Sequence, residues 1–342
     1  MKALRLEAVG QLARVEIDPP AIAPDQVLLA TGAAVICTSD LNDVRANPFG
    51  IALPVVMGHE GAGTVVEVGS AVCGLKVGDR VAAHPVHPCR KCANCRAGME
   101  HLCADMGHFG LNMPGTFAEY FVVREDRARV LPADVPFAVA ALAEPVCVCL
   151  EALAQARLSA GARLLIIGDG PFGAMMARLA RPMGLGQVVV AGRHDFRLGF
   201  AAPAVTVNTK NAADPVAALK AHAGELGYDA VILAAGSPES MHEALAVVRP
   251  KGRVVVFSSI AGRTPIDLFD VQVREVEIVG ACNDDNRLDD AVAKLSDPSL
   301  GLGDLVTHTL GLDEYERAFA LAGRGREEAM KVAFTFPEAP RR

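Results

Sequence analysis

Four cysteines spaced C-x2-C-x2-C-x7-C, Cys89, Cys92, Cys95 and Cys103, constrain this chain more than any other feature. Four thiolates on one short irregular loop close a tetrahedron around Zn²⁺ with no coordination position left open, which is a structural rather than a catalytic arrangement. The flanking Arg90, Lys91 and Arg96 offset the negative charge of a zinc tetrathiolate. Iron–sulfur runs of bacterial type begin in the same way but continue x3-C-Pro. Here the gap is seven and Ala104 follows. Disulfides explain the cluster poorly, because nine cysteines are an odd number and the N-terminus, MKALRLEAVG, carries no apolar secretory stretch. A reducing, cytoplasmic location is expected.

A chain of 342 residues that is 51% apolar exceeds what one core usually holds, so two domains are expected. The net charge of −7 and the absence of a basic block remove the electrostatic footprint of a nucleic-acid partner. No membrane partner is expected either. The longest apolar candidate, residues 131–150, carries Asp134 and Glu144, whereas a span needs roughly 18–20 uncharged residues.

The texture of the sequence changes along its length. Up to about residue 145, short β-branched runs such as Gly63–Gly69 and Tyr120–Val123 alternate with turn formers, a pattern of short strands in a barrel-like sheet. From about residue 160, the apolar runs Leu164–Ile167, Gln187–Ala191, Ala230–Leu233, Val254–Phe257 and Glu277–Val279 alternate with helix-length segments. That alternation predicts a parallel sheet with helices on both faces. The tail holds two helix candidates, Leu288–Leu295 and Leu312–Ala322, then an apolar strand, Lys331–Phe336, and a polar end, Pro337–Arg342.

Three further residues supply the donors of a second metal site. Cys37, His59 and Glu144 offer a thiolate, an imidazole and a carboxylate, and three protein ligands with an open fourth position compose a catalytic zinc. Taken singly each reads as an ordinary core residue.

With these residues, the chain resembles the zinc-dependent medium-chain dehydrogenase/reductase superfamily, the alcohol dehydrogenases. Gly58-His-Glu-Gly-Ala-Gly-Thr-Val-Val-Glu-Val-Gly69, followed by Val77-Gly-Asp-Arg-Val81, is similar to that family's zinc signature. The four-cysteine lobe matches its structural site, and Glu144-Pro145 resembles the sorbitol and threonine dehydrogenase branch. The resemblance implies a GroES-like, β-rich catalytic domain in two pieces, 1–145 and 283–342, around a doubly wound Rossmann domain at 146–282. It implies two zinc ions per chain, the catalytic one held by Cys37, His59 and either Glu144 or Glu60. It also implies that Ser39 passes the alcohol proton outward and that Asp40 orients a zinc-bound imidazole; an N-cap role is open to both. The family usually carries histidine where Asn42 stands, so the proton leaves by water or by another histidine, and Thr38 replaces a glycine.

The nucleotide site is legible without the resemblance. Gly168-x-Gly170-x-x-Gly173, enclosing Pro171 and Phe172, lies between a predicted strand and a predicted helix, the context in which such a triplet binds a dinucleotide pyrophosphate. At the end of the second strand, where an NAD enzyme places an acid, stands Gly192, followed by Arg193. An arginine attracts a 2′-phosphate, so NADP(H) is expected over NAD(H), with Arg197 as a second contact. Asp195 either caps the next helix or reaches the ribose. By resemblance, Lys331 contacts the pyrophosphate; otherwise it is an edge-strand lysine.

The expected activity is hydride transfer between a nicotinamide cofactor and a secondary alcohol or polyol, or the matching ketone. Phe49, Phe109 and Leu111 are candidate walls of the substrate pocket. A homodimer or homotetramer is implied, joined at the Rossmann edge near Val254–Ser259. The alternatives are a zinc-independent quinone or enone reductase and a non-enzymatic nucleotide- or zinc-binding protein.

Overall fold

The computed structural model describes residues 1–260 and 262–337. Two sheets organise it. The central strand of the first, Gln26–Val35, pairs antiparallel with Glu60–Val68 along one edge. Along its other edge, the first half pairs with Tyr120–Arg124 and the second half with Lys331–Thr335. Arg80–Ala83 and Ala128–Val130 extend the sheet on one side, and Val306–Gly311 completes it on the other. The last two strands of the described chain therefore complete a sheet begun near its start.

Register is what builds the site. Val35 lies opposite Glu60 on one side and opposite Ala333 on the other. Two residues past Val35 the chain reaches Cys37, and two before Ala333 stands Lys331, so three segments remote in sequence converge at one end of the sheet. A slip of one residue would turn each of these side chains to the opposite face.

The second sheet is parallel throughout. Its strands run in the order Val205–Asn208, Gln187–Gly192, Arg163–Ile167, Tyr228–Leu233, Val248–Val256, Glu277–Gly280. In sequence this is 3-2-1-4-5-6, with the switch point beside the first strand, where a doubly wound fold binds its ligand. Every strand expected from the apolar runs is present. The expected association edge is displaced, however: Val248–Val256 is flanked by a strand on each side, and the free edges are Val205–Asn208 and Glu277–Gly280. A strand followed by another crossover cannot be assigned to an edge from its own composition.

Helix Ala143–Gln155 runs between the two sheets, packed against helices Pro171–Leu179 and Leu288–Leu295. The domain boundary expected at 145/146 falls inside it. The apolar character of residues 137–155 goes into the core, with Val146, Cys147, Cys149 and Ala152 sealed from solvent. Side chains such as Val146 and Leu153 each contribute roughly 1.5–3 kcal/mol by burial. Beyond Gly173 the helix stops at Leu179, and Pro182 sits in a 3-10 turn that follows. Of the expected polar end, 338–342 lie outside the described residues.

Candidate active site

Cys37 caps helix Thr38–Ala46, and its backbone N–H donates to Asp40 Oδ2 at 2.8 Å. The other Asp40 oxygen lies 3.4 Å from His59 Nδ1. A carboxylate at Nδ1 fixes the ring so that Nε2 is the nitrogen at which a metal would take the place of a proton. Burial works against charge on His59, but Asp40 and Cys37 outweigh it and hold its pKa well above the ordinary histidine value. Thr38 begins the helix with no left-handed backbone, so its replacement of a glycine is harmless. Ser39 and Asn42 are both half-buried in this helix, and Asn42 accepts from Arg45 at 3.3 Å.

Ligand atoms of Cys37, His59 and Glu60 lie within 4.8 Å of one another, all buried. Glu60 is not free, since Lys331 Nζ donates to both its oxygens, at 2.5 and 2.7 Å. Glu144, the second residue of helix Ala143–Gln155, stands outside that tight group. Burial lifts its carboxyl to about 7, with Glu60 adding to the rise and His59 opposing it, and its Oε2 is buried with no hydrogen-bond partner. A buried carboxylate oxygen without a partner is costly. Cys37 and His59 with a carboxylate from Glu144 or Glu60 make a donor set that fits a divalent cation, and of the two carboxylates Glu60 is already paired with a lysine.

Cys89, Cys92, Cys95 and Cys103 converge with their sulfurs within 4.8 Å of one another. Cys92 Sγ lies 3.5 Å from Cys95 Sγ and 3.9 Å from Cys103 Sγ, too far for a disulfide, and all nine cysteines are free. Backbone N–H groups of Cys89, Cys92, Cys95 and Asp105 point at these sulfurs at 3.2–3.5 Å. Such donors stabilise thiolate: hydrogen bonds of this kind lower the Cys92 thiol, while burial and the neighbouring sulfurs raise that of Cys95, so the four share their protons unevenly. The loop fits a tetrathiolate zinc.

At the glycine loop, Gly170 caps helix Pro171–Leu179 with Pro171 in its first position. A Cβ on Gly173 would lie 1.9 Å from the carbonyl oxygen of Gly168, so helix and strand approach too closely for any side chain there. Phe172 packs edge-on against Phe257. Lys331, far from being an edge-strand lysine, lies on an inner strand and is buried, its ammonium 5.4 Å above the Phe172 ring. Arg197 donates weakly to the Ala329 carbonyl, and its buried Nε has no partner. Arg193 is exposed. Asp195 is held by Asn208 at 2.6 Å. The acid at the end of strand Gln187–Gly192 is one that counting along that strand could not find: Asp169, from the glycine loop, whose Oδ2 accepts from the N–H groups of Arg193 and His194.

Two more groups escaped the sequence. His84, Cys147 and Asp284 form a third buried cluster. His84 Nδ1 accepts from the Val86 N–H, so Nε2 carries the proton and donates it to Asp284. That tautomer leaves no ring nitrogen for a metal. His108 donates from Nδ1 to the Phe109 carbonyl at 2.7 Å, its ring 5.7 Å from that of His59, and burial pulls its pKa down to about 3. It is a neutral imidazole with Nε2 left as an acceptor. Of the expected pocket walls, Phe109 is instead a core residue packed on Phe121 and His87, and Phe49 is 56% exposed.

The family model described as "Alcohol dehydrogenase GroES-like domain" matches residues 23–133, and the one described as "Zinc-binding dehydrogenase" matches residues 171–297. Sorbitol dehydrogenase of Bombyx mori is 32% identical over 330 residues, 93% of this chain and 94% of that one. A solved structure from Sinorhizobium meliloti 1021, described as a zinc-binding dehydrogenase bound to NADP, matches with TM-score 0.89 and 27% identity, covering 98% of this chain and 99% of the other. An alcohol dehydrogenase from Escherichia coli CFT073 complexed with NADH matches with TM-score 0.91 and 26% identity over the same shares.

Proposed function

The chain belongs to the zinc-binding alcohol dehydrogenase family, with its GroES-like and Rossmann folds, and from that premise we propose a zinc-dependent oxidoreductase acting on a secondary alcohol or polyol. The observation that carries the zinc-dependent part is the convergence of buried Cys37, His59 and Glu60, with the unpartnered Oε2 of Glu144 in electrostatic reach of His59 and Glu60. When bound, zinc supplies a Lewis acid for the alcohol oxygen, and the nicotinamide supplies the hydride acceptor.

The chain's own residues do the rest. Cys37, His59 and Glu144 hold the catalytic metal, and Asp40 fixes the tautomer and angle of His59. Lys331 keeps the Glu60 charge from competing with Glu144. Ser39, half-buried at the start of its helix, accepts the substrate proton and passes it on. Asn42, an amide held by Arg45, has no proton to exchange near neutral pH and takes no part. His108 offers Nε2 to a polyol hydroxyl. Cys89, Cys92, Cys95 and Cys103 hold the structural zinc. Gly168, Gly170, Pro171, Phe172 and Gly173 receive the dinucleotide pyrophosphate at a helix N-terminus. At the adenosine end Gly192, Arg193 and Arg197 are the grounds for NADP(H), and Asp169 opposes them.

The same proposal divides the chain into a catalytic domain, 1–145 with 283–342, and a nucleotide domain, 146–282. It places the enzyme in the cytoplasm as a homodimer or homotetramer. The test is oxidation of a panel of alcohols and polyols with NAD⁺ and NADP⁺, with zinc counted on the same preparation. Two zinc ions per chain and turnover of a polyol are expected. One zinc with reduction of quinones would establish the zinc-independent reductase instead, and no turnover of any substrate would sink the enzyme reading.

A further inference from the structure

The end of strand Gln187–Gly192 carries no acid of its own, yet a carboxylate is there. Asp169 Oδ2 accepts from the backbone N–H of Arg193 at 2.6 Å and of His194 at 2.8 Å, and His194 Nδ1 lies 3.0 Å from the same oxygen. Gly192 makes this possible. A Cβ added at Gly192 would lie 2.3 Å from Asp169 Cβ and 2.7 Å from its carboxylate, so an acid at 192 and the observed Asp169 exclude one another.

We infer that Asp169 stands where the 2′-phosphate of NADP(H) would have to bind, and that it commits the site to a nucleotide with a free ribose 2′-hydroxyl, NAD(H). This inference rests on the dinucleotide reading of the glycine loop given above, and it reverses the preference suggested by Arg193. Two backbone N–H groups converging at a strand end form an anion site, and a carboxylate already occupies it. A phosphate oxygen and Asp169 cannot share the same donors, and placing a dianion against a carboxylate is repulsive. The other Asp169 oxygen, Oδ1, makes no hydrogen bond among the described residues and can accept from a ribose hydroxyl. Arg193 lies within the field of Glu239 and Glu243, and Arg197 within that of Asp169 itself.

The experiment is a titration of the full-length, zinc-loaded protein with NADH and NADPH, followed by cofactor fluorescence. Wild type should bind NADH more tightly by about tenfold or more. Asp169→Asn keeps an acceptor oxygen for the two N–H groups and removes the charge. It should tighten NADPH by about tenfold and weaken NADH by about fivefold at most. Should the variant fail to fold, competition on wild type gives the same answer, with 5′-AMP displacing NADH at lower concentration than adenosine 2′,5′-bisphosphate. Tighter NADPH than NADH in wild type, or an unchanged ratio in Asp169→Asn, overturns the inference while the dinucleotide site stands. Binding of neither nucleotide overturns both.

Discussion

The ammonium of Lys331 sits 2.5 and 2.7 Å from the two carboxylate oxygens of Glu60, across 271 residues of chain, with neither side chain open to solvent. Burial pulls the lysine pKa down, but Glu60 more than reverses this and the group stays charged. Removing one partner leaves the other charge buried alone. Lys331→Met should therefore cost roughly 3–5 kcal/mol of stability, and Lys331→Met combined with Glu60→Gln should recover most of it. Thermal melts of the two variants decide this, and equal losses in both would refute the coupling.

Asp40 is predicted to act through His59. Asp40→Asn keeps the side chain's size but weakens its hold on the imidazole, and should lower zinc affinity or activity by about 10- to 100-fold. Zinc competition with a chromophoric chelator measures it. Cys37→Ser should leave one zinc per chain and Cys103→Ser should take away the other, so the two lesions are separable by metal analysis.

Glu144 sets a pH dependence whose sign changes with metal. Its carboxyl titrates at about 7 in the folded chain against an ordinary 4.5. A raised folded-state pKa gives stability that is present at low pH and lost as pH rises through about 7. Metal-free protein should therefore melt higher at about pH 5.5 than at about pH 8, and Glu144→Gln should flatten this difference. Zinc binding should strengthen over the same interval, because the metal takes the ionised carboxylate. A metal-free melting curve that rises toward pH 8 would contradict the assignment.

Gly173→Ala tests the glycine loop. Its methyl would overlap the Gly168 carbonyl, so the loop must shift away from the pyrophosphate position. The variant should weaken NADH and NADPH by similar factors, in contrast to the divergent effects of Asp169→Asn. Calorimetric titration of both nucleotides distinguishes the two.

What could be read from the sequence was whatever is encoded locally. The four-cysteine loop and the Gly168–Gly173 turn each lie within one short segment, and the strands around them follow from apolar runs. Long-range placement was not legible. Glu60 and Lys331 meet only because Val35 is opposite Glu60 on one edge and Ala333 on the other. Counting along a strand located Gly192 but could not reveal that Asp169 arrives from a different loop. The edge of the parallel sheet was misplaced for the same reason, since strand order depends on crossovers that composition does not record.

The inner position of strand Lys331–Thr335 also orders events on the ribosome. Chains emerge from the N-terminus, and their early parts begin to fold while the remainder is still being made. The four-cysteine loop has all its ligands once Cys103 is out and can take its metal at that stage. The other pocket has Cys37, His59 and Glu60 early, but an uncompensated Glu60 until Lys331 emerges. The four-cysteine loop can thus assemble during synthesis, whereas the Cys37, His59 and Glu60 pocket is completed only when Lys331 emerges.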